Sequence, residues 1–334
     1  MPAILTNNLS VINAENFVDS FINGKSDIFM GVSRGWESGD TAPPANTSVS
    51  DVNKWTDEMN PPVPVDSIEN QRSFRTNILG IKKIMVNDIL IMVPRVNWIR
   101  GKIFNIKNEQ VRYGVRATDY YCLTSNNEVW ECVKIPHTAS NHTKGSYLEP
   151  VLPESGSSLN EWEKSDTETI KVYVDYPEGA VESSDYKEAF LWRYLYTIPT
   201  SIANKKLLEN WMPVMFNKHG KFSGGTGGTL QEEQYSFGDV NANRTLGAYR
   251  VMVSCTLKDE STIIPYDAVY RQVGLIVDPL SKPNNDGIQT KLTSQLYNED
   301  SFDIMSGELV YIENKKAVHR EQNQEETLNL ILVF

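Results

Sequence analysis

Asp119-Tyr-Tyr-Cys-Leu-Thr-Ser-Asn-Asn-Glu-Val-Trp-Glu-Cys-Val-Lys-Ile135 is the stretch that decides how this chain folds. Apolar, β-branched and aromatic residues flank Asn126-Asn127, and asparagine tolerates the positive φ that hairpin turns require. The stretch predicts a β-hairpin, and a three-residue loop is expected to set Cys122 opposite Cys132. Working outward, strand-like runs recur at Thr169 to Tyr176, Phe190 to Ile198, Leu246 to Thr256, Tyr270 to Val277, Leu309 to Glu313 and Leu328 to Phe334. Upstream, Ile78 to Val93 is dense in Ile, Val, Leu and Met and broken by Asn87-Asp88, which reads as two short strands or a strand and a turn. Many short strands separated by turn-forming text favour β-sandwiches over a βαβ pattern. The expected fold is mainly β with a few helices on loops, in two β-sandwich-like domains.

The helices belong to the first part of the chain. Asn13 is placed to cap a helix from Ala14 to Asn23, whose Phe17, Val18, Phe21 and Ile22 form one stripe, with Gly24 as the left-handed residue after it. A second helix fits Val49 to Met59: Ser48 and Asp51 resemble a capping box, Val52, Trp55 and Met59 share a face, and Pro61-Pro62 end it. Between them, Gly31 to Pro44 reads as a loop carrying Trp36, and His137 to Ser165 as a long surface excursion. Residues up to about Pro94 hold too few strands to close a sandwich alone, whereas Leu246 to Phe334 is strand-rich. The expected layout is therefore a discontinuous domain from residues 1–95 and 246–334, with residues 96–245 inserted as a second domain.

The 334 residues carry 32 Lys and Arg against 43 Asp and Glu, a net charge of −11, which repels phosphate backbones; nucleic acid is not an expected partner. The start Met1-Pro-Ala-Ile-Leu5 lacks a signal peptide's basic and apolar regions, and no run of about 18 apolar residues is present to insert in a membrane. Synthesis and residence in the cytoplasm follow as an expectation. Cys122, Cys132 and Cys255 form no CxxC spacing and read as small buried hydrophobes, reduced in that compartment.

No chemical motif in the sequence is complete. Ser223-Gly-Gly-Thr-Gly-Gly-Thr229 lacks the lysine and the preceding strand of a phosphate-binding loop. His137, His142, His219 and His319 stand in polar surface text without helical spacing. Glu161, Glu163, Asp166 and Glu168, then Glu178, Glu182 and Asp185, offer carboxylate pairs of the kind any acidic protein has. Ser155-Gly-Ser-Ser158 is no nucleophile elbow. The expectation is no catalytic residue, no cofactor and no metal. The aromatics carry more: Trp36, Trp55, Trp98, Trp192, Tyr194 and Tyr196 are the candidate interface residues or loop anchors. Trp192, Tyr194 and Tyr196 alternate with Leu191, Arg193 and Leu195, so a strand puts three aromatics on one face.

Several strings then cease to look generic. Phe29-Met-Gly-Val-Ser-Arg-Gly-Trp36 with Pro43-Pro44, and Phe190-Leu-Trp-Arg-Tyr-Leu-Tyr-Thr-Ile-Pro199, resemble the baseplate wedge subunits of T-even-type contractile-tailed bacteriophages. So, in order and spacing, do Tyr270-Arg-Gln-Val-Gly-Leu-Ile-Val-Asp-Pro-Leu280, Ser306-Gly-Glu-Leu-Val-Tyr-Ile-Glu-Asn314 and Glu325-Glu-Thr-Leu-Asn-Leu-Ile-Leu-Val-Phe334. The resemblance implies a non-enzymatic homodimer in the virion's tail baseplate. There it would contact other wedge proteins and take part in the rearrangement that triggers sheath contraction. A carbohydrate-binding or depolymerising tail protein is the alternative that exposed tryptophans and carboxylates on β-sandwiches allow.

Overall fold

The fold was obtained as a computed structural model, which describes residues 7–35, 61, 63–107, 119–137, 143–153, 159–165, 168–206, 208–215, 223–224, 228–229, 242–258, 269–319 and 325–334. The helices are α1 (Asn7–Ile22), α2 (Ile68–Thr76), α3 (Thr200–Lys206) and α4 (Ala242–Leu246). The first strands are β1 (Ile28–Ser33), β2 (Ile78–Lys83), β3 (Ile89–Pro94), β4 (Tyr121–Leu123), β5 (Glu128–Lys134), β6 (Asn160–Ser165), β7 (Glu168–Asp175) and β8 (Phe190–Thr197). They continue as β9 (Trp211–Pro213), β10 (Ser223–Gly224), β11 (Gly228–Thr229), β12 (Arg250–Leu257), β13 (Val269–Val277), β14 (Leu296–Asn298), β15 (Glu308–His319) and β16 (Glu326–Val333). The protein is mainly β with few helices, and its paired strands are antiparallel.

The chain divides into two compact units. A flank unit comprises Asn16–Ile89 and Met252–Leu332; a middle unit comprises Met1–Glu15, Leu90–Val251 and Val333–Phe334. In the flank unit a five-stranded sheet runs β14-β2-β1-β13-β15, and β12 lies beside β16. β1 is buried along its whole length and β13 from Tyr270 to Ile276. Gly31 of β1 pairs with Gly274 of β13 because a helix side chain occupies the space above both. A Cβ on Gly274 would stand 2.6 Å from Phe74 Cζ, and one on Gly31 would stand 3.3 Å from it. Phe74 thereby joins Phe29, Ile78, Ile81, Ile276, Leu292 and Phe302 in one apolar cluster. On the next residue of α2, the buried Arg75 donates to the carbonyls of Ile304 (2.9 Å), Ser306 (2.7 Å) and Gly307 (2.8 Å), tying the loop before β15 to the helix. Ser67 caps α2 by accepting from Asn70 N at 3.1 Å.

In the middle unit the five-stranded sheet runs β4-β5-β8-β7-β6, and β3 pairs with β9. β8 is central and hidden on both faces: six of its residues, all but Arg193 and Thr197, are buried. Leu191 packs with Val172 and Ala189 on one face. Trp192 meets Phe104 edge-on at 4.8 Å and Tyr194 meets Trp130 at 5.4 Å. Two tyrosine hydroxyls reach the β3 and β9 pair, Tyr121 donating to Pro94 O (2.8 Å) and Tyr196 to Pro213 O (3.1 Å).

Several expectations are corrected. α1 already runs from Asn7, so Asn13 lies exposed inside the helix and is no cap; the buried stripe is Val11, Ala14, Val18 and Phe21. Gly24 does adopt φ 65° behind it. Gly31 to Ser33 belong to a buried central strand, not a loop: Gly31 is there for close packing, a role that reads in sequence like turn punctuation. The hairpin forms, with Asn127 at φ 61°, but its register pairs Cys122 with Trp130, because the loop is Ser125 to Asn127 and Thr124 N donates to Glu128 O at 2.9 Å. The three cysteines are buried and free. The stretch expected as a surface excursion contains β6, a polar edge strand on which only Trp162 turns inward, and a buried Ser146. Leu246 ends α4 and the strand after it begins at Arg250. The helix expected over Val49 to Met59 and the end of the Gly31 to Pro44 segment lie outside the described residues.

The Phe74 contact yields a stability test. Gly274→Ala forces a methyl against Phe74 and the Tyr311 carbonyl and should cost about 1–3 kcal/mol in denaturant melts. The same change should cost less in a Phe74→Leu background, which withdraws the ring; equal costs in both backgrounds would remove Phe74 as the cause.

Candidate functional site

The candidate residues that fall among the described ones lie in the middle unit, where Trp98 and Trp192 stand near a buried carboxylate. Asp175 ends β7 with none of its surface exposed. It accepts from Ser146 Oγ at 2.7 Å, Leu148 N at 2.8 Å and Tyr147 N at 3.0 Å, so one side chain fastens three consecutive residues to the sheet. Ser146 Oγ in turn accepts from Trp98 Nε1 at 2.8 Å, giving a chain of bonds from indole to hydroxyl to carboxylate. Ser146 N donates to Lys102 O (2.9 Å) and Gly101 N to Ser146 O (2.7 Å). Gly145 makes that closeness feasible: its φ is +71°, and a Cβ on it would lie 2.2 Å from Gly101 O. Trp98 is thus a half-buried anchor between two segments.

Burial pushes the Asp175 carboxyl above its ordinary value. The Ser146 hydroxyl, the Leu148 and Tyr147 amides and the Trp192 indole oppose that rise by favouring the charged form. Trp192 Nε1 is buried without a hydrogen bond of normal geometry, so its pull on the carboxylate is weaker than that of the three bonded donors. A second buried carboxyl, Glu128 at the start of β5, accepts from Trp130 Nε1 and Leu152 N, both at 3.1 Å. It too is raised by burial, against those two donors and with Glu149 adding to the rise. A third, Glu131, is buried opposite Arg193 of β8, whose Nε donates to it at 2.9 Å. Each carboxylate is enclosed and engaged by donors that hold a loop or a neighbouring strand. That arrangement suits fastening, not proton transfer to a substrate.

Trp192, Tyr194 and Tyr196 are exposed by 0%, 2% and 0%, so the aromatic row predicted on β8 is interior to the middle unit. Trp36 and Trp55 lie outside the described residues. Of the four histidines, His137 is exposed, and among the described residues no three His, Cys, Asp or Glu side chains gather as metal ligands do. Among them, too, no helix is long and apolar enough to cross a membrane. The Gly-rich patch folds, where described, as the small ribbon β10-β11 with Gly224 opposite Gly228. Sequence reasoning missed Asp175, Gly145 and Ser146. The signal was an acidic residue closing the apolar run Val172-Tyr-Val174, with a Gly-Ser pair in polar text waiting for an acceptor.

A family model described as Bacteriophage T4, Gp8 matches residues 46–334. The chain belongs to the phage Gp8 family. It is similar to the baseplate wedge protein gp8 of Enterobacteria phage T4, with 22% identity over 360 residues, covering 99% of this chain and 97% of that protein. Trp55, Trp98, Trp192, Tyr194 and Tyr196 all fall within the span matched by the Gp8 family, as do Ser146 and Asp175; Trp36 precedes it.

The two raised carboxyls of this Gp8-family chain set a pH dependence. A carboxyl whose folded value lies above its unfolded one favours the fold fully below the unfolded value, and that contribution is lost as pH climbs through the folded value. Glu128→Gln removes the titration. Its melting temperature relative to the parent should therefore be better at about pH 8 than at about pH 4.5. The opposite trend across the two pH values would contradict a raised Glu128.

Proposed function

We propose that the chain is a structural subunit of a contractile phage tail baseplate, working in a wedge as a homodimer that joins neighbouring wedge proteins. The carrying observation is the Gp8-family match over residues 46–334, extended by similarity along nearly all of a baseplate wedge protein. The interior agrees with that role. Its carboxylates fasten loops, and the aromatics of β8 hold a core together instead of offering a platform to a sugar ring. That burial is what disfavours the carbohydrate-binding alternative for Trp192, Tyr194 and Tyr196. Exposed apolar side chains lie elsewhere, with Val63 85% and Ile68 85% exposed in the flank unit and Val181 76% in the middle unit. Surfaces of this kind are the ones that partner subunits cover.

On this reading the chain is made in the host cytoplasm, ends in the tail baseplate of the virion, and turns over no substrate. Its two units act as folding domains, the middle of the chain inserted into a domain built from its flanks. Its rigid faces have two sets of contacts with neighbouring subunits, and receptor binding shifts the assembly from one set to the other, which triggers sheath contraction.

Light scattering on the purified chain should give a dimer mass, and mass spectrometry of purified particles should find the chain in the baseplate fraction. Trp192→Ala, which empties a fully buried indole site, should cost about 3–5 kcal/mol and deplete the chain from particles. A variant that folds and assembles normally but loses a measurable glycan-hydrolysing activity would replace the structural reading with the enzymatic one.

A further inference from the structure

The flank unit contains a charged side chain whose donors are only partly met among the described residues. Arg271 lies in β13, between β1 and the edge strand β15 of the five-stranded sheet, and is 2% exposed. Its Nη1 donates to Arg34 O at 3.2 Å, but Nε and Nη2 are buried without a hydrogen-bond partner among the described residues. Those two nitrogens share one edge of the guanidinium, the edge that takes both oxygens of a carboxylate or two oxygens of an oxoanion. Burial lowers the guanidinium's affinity for its proton.

The other arginines differ. Arg75 uses three carbonyls, Arg193 a carboxylate, and Arg250 the faces of Trp211 (4.5 Å) and Tyr249 (4.4 Å). On the β1 side, the residue beside Arg271 is a second cation. β1 pairs Ser33 with Gln272, so the next residue, Arg34, comes beside Arg271, and its side chain is exposed. Neither arginine forms an ion pair among the described residues. A buried guanidinium with two unmet donors is strongly unfavourable unless an anion joins it.

We propose that Arg34 and Arg271 form an oxyanion site, the Nε and Nη2 edge of Arg271 gripping two oxygens and Arg34 supplying the second charge from the solvent side. The shared chemistry is a carboxylate or a small tetrahedral oxoanion. In the assembled wedge, a reading that rests on the proposed function, the oxygens come from an acidic side chain of a neighbouring protein; in the free chain they come from solution.

The test has two arms. In the first, the full chain is melted in increasing sodium sulfate against sodium chloride at matched ionic strength. The parent should show a saturable rise in melting temperature with sulfate. Arg271→Lys keeps the charge but not the paired edge and should lose the rise; Arg34→Gln should weaken the apparent affinity roughly tenfold. In the second, particles are assembled with each variant and the chain is quantified by mass spectrometry. Depletion of a folded Arg271→Lys variant identifies a partner's carboxylate as the occupant, whether or not sulfate binds. Normal incorporation with a lost sulfate response identifies a free oxoanion. A sulfate response that survives both substitutions marks an adventitious ion only and overturns the site, as does no response combined with normal incorporation. Should Arg271→Lys fail to fold, the exposed Arg34→Gln decides both arms. Absence of the parent chain from particles defeats the baseplate reading and leaves the sulfate arm to judge the site.

Discussion

Burial of a central strand on both faces is the constraint from which the rest of each unit follows. β8 is the middle strand of its five-stranded sheet, β13 is an interior strand of the other, and both present almost no side chain to solvent. Every polar group on such a strand, or at its borders, must find its partner inside the protein, because a buried unsatisfied donor or charge costs more than the bond it would have made. On β8, Arg193 stands opposite Glu131 in the register of β5, while Trp192 Nε1 is left without a bond of normal geometry. Next to it Asp175 collects three donors from residues 146–148, so a loop with no regular structure is fixed as firmly as the strand it covers. On β13, Gln272 donates across the sheet to Asn314 of β15 at 2.9 Å. Its neighbour Arg271 keeps Nε and Nη2 without a partner among the described residues.

The flank unit adds a second constraint, the close approach of α2 to its sheet. The facing pair Gly31 and Gly274 removes two side chains from one layer, and Phe74 fills the space, so the helix sits nearer the strands than any residue with a Cβ would allow. That closeness brings Arg75 within reach of the three carbonyls in the turn before β15. Gly307 completes the turn at φ +70°, where a Cβ would lie 2.6 Å from Val277 O. Helix, sheet and turn are therefore mutually dependent: the glycines set the depth of the helix, the depth sets the reach of the arginine, and the arginine fixes the turn.

This hierarchy explains what the sequence discloses. The hairpin of β4 and β5, the strands β7, β8 and β13 and the alternating face of β8 are legible because β-branched and aromatic residues cluster between turn residues. Two kinds of feature are hidden. Gly31 and Gly274 look like turn signals or strand breakers, yet their role is to admit Phe74, a contact from a helix more than 40 residues from one of them and about 200 from the other. α2 itself, Ile-Glu-Asn-Gln-Arg-Ser-Phe-Arg-Thr, buries only Asn70, Phe74 and Arg75, too few apolar positions for a periodic stripe; its visible sign is the cap at Ser67. The Asp175 network is hidden for another reason. An acid at a strand end, a serine in polar text and a tryptophan between basic residues carry no common pattern until the fold sets them within hydrogen-bonding distance. Composition shows that such groups exist, while only tertiary structure shows which of them meet.

The sheet margins bear on how such a subunit meets others. β15 is twelve residues long and stands at one edge of the flank unit's sheet, a length that could template strand addition. Its pairing with β13 shifts register between Tyr270 and Gln272 and again between Leu275 and Ile276, which bends the strand. Lys315 and Lys316 stand in the more displaced segment, Lys315 held 3.5 Å from Glu313. In the middle unit, the edge strand β6 carries Glu161, Glu163 and Lys164 at exposed positions, with Lys164 and Glu168 3.3 Å apart. Bends and charges of this kind oppose continuous edge-to-edge hydrogen bonding, which has no natural end point once it begins. Contacts made through side chains on faces and loops stop at a defined stoichiometry instead, because the complementary patch is used up when the partner is seated. A protein built into a closed assembly benefits from edges that refuse strand addition and from loops fastened tightly enough to keep their contact residues in place. The fastening by Asp175 and Arg75, together with the bent, charged edges of β15 and β6, provides both.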